Sequence, residues 1–185
     1  IAKRERCKDW GLTVTLDKVK IVDDSDDFTQ GDGEIYIRTR VADGFVDGEA
    51  IAGSNASLLN QTTLSLPRNG RTKDVGTGDF FPEKDVKLYS NIRNLRAKGL
   101  PVFLYVEVDV FEDDSQADCS GRTCDDVLGV LPLMLTQHWM RDHVGKNELV
   151  YDVRGDSGKA RIYLTVEVTP SVDPSADPDG PISRR

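Results

Sequence analysis

Residues 101–114 read Pro-Val-Phe-Leu-Tyr-Val-Glu-Val-Asp-Val-Phe-Glu-Asp-Asp. Val102, Leu104, Val106, Val108 and Val110 alternate with Phe103, Tyr105, Glu107 and Asp109, the period of a strand that buries one face and wets the other. The strand then runs into carboxylates. Three more segments share the first property: Leu12, Val14 and Leu16 against Thr13 and Thr15; Ile35, Ile37 and Val41 against Tyr36, Arg38 and Arg40; and Ala160, Ile162, Leu164, Val166 and Val168 against Arg161, Tyr163, Thr165 and Glu167. Weaker alternation covers 57–66, 84–90, 127–135 and 147–154, with Asp43-Gly44, Asp47-Gly48, Asn69-Gly70 and Asp156 to Gly158 as turn signals between strands. Helical periodicity is confined to Asn91–Lys98 and a turn at Thr136–Val144. The pattern predicts an all-β fold, an antiparallel sandwich of about eight strands.

The charge is as patterned as the hydropathy. The chain has 32 acidic and 24 basic residues, a net charge of −8. Residues 23–34 hold six acids and no base, and 105–126 hold eight acids with one base, Arg122, so the remainder has 18 acids against 23 bases. Two dense acidic runs at the ends of strands repel each other unless a cation lies between them. Calcium suits such a place, because it takes six to eight hard oxygen ligands from carboxylates, carbonyls and water. The bland alternative is a pair of solvated loops.

At 185 residues the chain fits one domain. The reading divides it into an N-terminal segment at 1–10, the sandwich at 11–169 and a flexible tail rich in Pro and Asp at 170–185, which leads to other domains of a larger protein. No apolar run approaches the roughly 18 residues of a membrane-spanning helix. Cys119 and Cys124 are close enough in sequence for a disulfide if their loop folds back, and two free thiols are the competing reading. With the sequons Asn55-Ala56-Ser57 and Asn60-Gln61-Thr62, the cysteine pair leads to the expectation of an extracellular or secreted protein.

Several stretches resemble the C2 domain, a calcium- and lipid-binding β-sandwich. They are Val22-Asp23-Asp24 with Gly33-Glu34-Ile35-Tyr36-Ile37; Thr72-Lys73 with Gly76–Pro82; Val110-Phe111-Glu112-Asp113-Asp114 followed by Asp125-Asp126-Val127-Leu128-Gly129; and the strand Ala160–Val168. The resemblance implies calcium ligands at Asp24, Glu34, Glu112, Asp114 and Asp126, with a backbone carbonyl near Asp113. Glu34 and Glu112 stand where the family has Asp, and the loop beginning at Ser115 is longer than the family's. The resemblance also implies anionic membrane lipid as a partner, and Phe28, the one large apolar residue of the first acidic run, is the candidate for membrane insertion. An adhesion module that binds a glycan or protein, its loops rigidified by calcium, is the second reading.

Other chemistry finds less purchase. His138 and His143 flank Trp139-Met140 in what reads as a turn packing Trp139 on the core. No serine or cysteine has a matched base, so the chain reads as noncatalytic. Nucleic acid is a poor partner for loops this acidic.

Overall fold

The computed structural model describes residues 10–23, 33–44, 60–68, 72–90, 103–113 and 125–170. Their order is β1 (Trp10–Asp23), β2 (Gly33–Gly44), β3 (Asn60–Leu66), β4 (Lys73–Val75), β5 (Phe80–Phe81), β6 (Val86–Ser90), β7 (Phe103–Asp113), β8 (Asp125–Thr136), α1 (Gln137–Asp142), β9 (Gly145–Arg154) and β10 (Lys159–Pro170). Two sheets form, with paths β5-β1-β10-β9 and β3-β2-β7-β8, while β6 also pairs β1 and β4 also pairs β2. The strand pairings among the described residues are antiparallel. The sequence expectation of about eight strands falls short of these ten because β4 and β5 are three and two residues long, too short for a period of two to register.

The core lies between the two inner faces. Leu12, Val14, Leu16, Val19, Ile21, Ile162, Leu164 and Val166 from the first sheet meet Ile35, Ile37, Leu104, Val106, Val108 and Val110 from the second, all fully buried. In β1 the inward set is even-numbered to Leu16 and odd-numbered from Val19. The pairing with β10 explains the change, because its register shifts between Leu16 and Lys18. Such a bulge inserts one residue and reverses the side-chain phase beyond it. Asp17 marks the break and accepts a hydrogen bond from Thr165 at 2.9 Å. At the other end of β1, Trp10 stands opposite Pro170.

The candidate turn at Thr136–Val144 is α1. Its N-cap Thr136 accepts from the Trp139 amide at 3.2 Å, Met140 is fully buried, and half-buried Trp139 packs against the core. The second helix candidate, Asn91–Lys98, lies outside the described residues.

Along one edge the sheets are tied together through the β9–β10 turn. Gly155 N–H donates to Leu128 O at 2.9 Å and to Gly158 O at 3.1 Å. A Cβ at Gly155 would run into the backbone carbonyl of Val127. Because the obstacle is backbone rather than a flexible side chain, Gly155→Ala is expected to cost about 1–3 kcal/mol, read as a lower midpoint in urea unfolding.

At the opposite end from that turn, Tyr89 on β6 donates to buried Asp43 on β2 at 2.9 Å, joining the two sheets. Burial, and then the bond to Asp43, push the Tyr89 phenol well above the ordinary value of 10.0. A raised folded-state pKa means that the contribution is intact below the unfolded value and fades as pH rises beyond it, where only the unfolded phenol ionises. Tyr89→Phe is expected to cost about 1–3 kcal/mol at neutral pH and to flatten the loss of stability above about pH 10, both measured by denaturant titration across pH.

Candidate metal centre

The antiparallel order brings four strand ends to one end of the sandwich: β1 leaves at Asp23, β2 enters at Gly33, β7 leaves at Asp113 and β8 enters at Asp125. The β9–β10 turn joins them, with Ser157 N–H donating to Val127 O at 3.4 Å. Both acidic runs therefore depart from the same end of the molecule. The strands reach further than the sequence suggested, so Asp23, Glu112, Asp113, Asp125 and Asp126 are strand residues with fixed faces.

Register assigns those faces. Ile35 stands opposite Glu112, and Glu112 opposite Asp126; since residues opposite one another share a face, Glu112 and Asp126 continue the inward side of Ile35. Glu112 is 3% exposed and Asp126 is half-buried. A Cβ at Gly33 would occupy the place of the Glu112 carboxylate, so the glycine is what lets that side chain fold over β2. By alternation Glu34 lies on the outward side, opposite Asp74 of β4, as does Asp113, opposite Asp125. Glu34 is exposed and Asp113 half-buried.

Of the six ligands that the resemblance implied, the structure places Glu112 with Asp126 on one face and puts Glu34 and Asp113 on the other. Asp24 and Asp114 lie outside the described residues, as do Phe28, Cys119 and Cys124. Among the described residues no three His, Cys, Asp or Glu side chains converge as a metal cluster. The donors are nevertheless of the hard-oxygen class that calcium takes, and the space over Gly33 that holds the Glu112 carboxylate is a cradle a side chain would fill. Sequence reading missed the space that Gly33 leaves; Asp23, which it held only as an alternative ligand, has its carboxylate 3.8 Å from Lys159 Nζ.

No family model matches the chain, and no curated protein matches it. Solved structures to which it is similar include the C2A domain of a plant extended synaptotagmin 1, at 8% identity and a TM-score of 0.38 over 91% of this chain and 100% of that one. Another is a C2 domain at 16% identity and a TM-score of 0.39, over 87% and 99% of the two chains. A third is human GIVD cytosolic phospholipase A2 in complex with a fluorophosphonate inhibitor and terbium chloride, at 8% identity and a TM-score of 0.42, over 89% of this chain and 18% of that one. What the strand pairings themselves show is an all-β sandwich of two antiparallel sheets. What the acidic end can bind follows from its own carboxylates.

A second cluster, on the outer face of the β2-β7-β8 sheet, escaped the sequence reading. Asp109 is 2% exposed although it points away from the core. Its Oδ2 accepts from Arg38 Nε and Nη2, both at 3.2 Å, and from Arg40 Nη2 at 3.4 Å. Arg40 also pairs with Glu107, which accepts from the Tyr105 hydroxyl and holds that phenol above its ordinary range. Arg38 lies 4.8 Å above the Phe111 ring, itself stacked on Tyr36 at 4.8 Å. The sequence shows these charges only as the wet half of an alternation.

The two sides of this cluster differ in burial. Both arginine side chains are 43% exposed, whereas that of Asp109 is 3% exposed. Removing an arginine leaves a buried carboxylate short of donors, while removing the carboxylate lets the guanidiniums return to water. Arg38→Met is therefore expected to lower stability by about 1–3 kcal/mol and by more than Asp109→Asn does, compared by urea unfolding of the two variants.

Proposed function

We propose that the chain is a noncatalytic, calcium-binding C2-like module that targets a larger extracellular protein to anionic membrane lipid. One observation carries the reading: the topology sends both acidic runs off a single end of the sandwich, with Glu112 and Asp126 side by side across β7 and β8. Carboxylates gathered in this way need a counter-charge. Asp24, Glu34, Glu112, Asp113, Asp114 and Asp126 are the side chains that would hold calcium. The ion would neutralise the end of the sandwich and offer its remaining positions to lipid phosphate, while Phe28 would enter the bilayer.

The protein's own residues have separable parts in this. Glu112 and Asp126 share the inward face and serve the same ion; Glu34 stands on the outward face beside Asp74. A double-mutant cycle reads that difference directly. Glu112→Gln and Asp126→Asn should each weaken calcium binding, and together should do less than the sum, whereas Glu34→Gln combined with Asp126→Asn should be closer to additive. Dissociation constants of about 10⁻⁴ to 10⁻³ M are expected for an extracellular module, measured by calorimetry. No heat in millimolar calcium would remove the metal assignment. Calcium binding without sedimentation on anionic vesicles would favour the adhesion reading.

A further inference from the structure

The outer face of the first sheet has a different character from the acidic end that it adjoins. Three cross-strand rows nearest that end read Asp23-Lys159-Arg154, then Phe80-Lys20-Arg161-Asp152, then Lys18-Tyr163-Val150. They contain five cations and two carboxylates, in a chain whose net charge is −8. The face is open: Phe80 is 47% and Val150 53% exposed.

The cations are not equivalent. Arg161 is held by Asp152, at 2.5 and 3.0 Å, and Lys159 stands 3.8 Å from Asp23. Lys18 and Lys20 are held by rings instead. Lys18 Nζ lies 4.6 Å from the centre of Phe80 and 5.0 Å from that of Tyr163, and Lys20 Nζ lies 5.7 Å from Phe80. Neither lysine forms an ion pair within the described residues. An aromatic face positions an ammonium group without cancelling its charge, so these two charges remain available to an outside anion.

We infer that this face, centred on Lys18, Lys20, Phe80 and Tyr163, is a second membrane-contact surface that binds anionic phospholipid headgroups without calcium. The proposal extends the membrane half of the reading above and is independent of its calcium half. The sheet spaces its cations by about 5 Å across strands and about 7 Å along them. That is a lattice of charges on a flat face, with no walls to enclose one small anion, and it matches a surface of many headgroups. Tyr163 adds an aromatic ring of the kind that settles at membrane interfaces, and Phe80 an exposed apolar one. The chain's overall negative charge does not prevent contact, because screening beyond about 8–10 Å leaves the local charge to decide.

The test is cosedimentation of the full chain with vesicles of phosphatidylcholine alone or with phosphatidylserine, in chelator and in calcium. In chelator at low ionic strength the wild type is expected on the phosphatidylserine vesicles alone, and added salt should release it. Lys18→Glu with Lys20→Glu should lower that partitioning about tenfold or more, while Lys146→Glu, at the far end of the same face, should leave it unchanged. Circular dichroism and thermal melting check that the double variant is folded; if it is not, Lys18→Gln with Lys20→Gln replaces it. Absence of wild-type binding in chelator overturns the inference, as does an equal loss with Lys146→Glu. Calcium-dependent binding that survives the double substitution, with none in chelator, removes this face and keeps the calcium site. Binding in chelator that the double substitution abolishes, with no gain from calcium, keeps this face and removes the other.

Discussion

One added residue in β1 decides what the outer face of the first sheet presents. Had the strand kept the phase of Leu12, Val14 and Leu16, Lys18 and Lys20 would point into the core and Val19 and Ile21 into water, an arrangement that the cost of burying unpaired ammonium groups forbids. The register shift between Leu16 and Lys18 resolves this by letting Asp17 stand out of the ladder, bonded to Thr165. Beyond it the apolar residues return to the inside and the lysines meet Phe80 and Tyr163 on the outside; a second shift, between Ile21 and Asp23, then brings Asp23 opposite Lys159. The basic outer face of the first sheet depends on that change of phase.

The sequence carried the architecture because the buried strands alternate cleanly. In β7 every second residue from Leu104 to Val110 is fully buried, and β10 repeats the pattern from Ala160 to Val168. Short elements left no such trace. Phe80–Phe81 is a strand because it lies against Lys20 and Val19, a fact of tertiary pairing with no local signal. Likewise, the alternation quoted for β1 stops at Leu16, since a bulge is invisible to a search for unbroken alternation.

The acidic end was legible as charge and less so as geometry. The sequence could place the carboxylates after strands, but not say that the strands extend through Asp23 and Asp113. Once they do, one residue of register separates Glu34 from the face of Glu112, and a list of acids in chain order merges what the sheet divides. Gly33 and Asp109 illustrate two further losses. A glycine that makes room for a carboxylate from another strand has no sequence signature, and an aspartate buried on the outer face of a sheet by two arginines from a neighbouring strand looks like any solvated acid. Arg38 and Arg40 are 71 and 69 residues from Asp109 in the chain, so their convergence exists only after folding.

The pairing of Trp10 with Pro170 has a mechanical consequence. The end segments of β1 and β10 lie side by side here, and the hydrogen bonds between the two strands run across them. Tension applied through both segments would load those bonds one after another from that end, as in opening a zipper, instead of shearing the whole ladder at once. Peeling would proceed toward Asp23 and Lys159. Pulled apart at Trp10 and Pro170, the sandwich would yield first at the end remote from Glu112 and Asp126 and hold at their end until last.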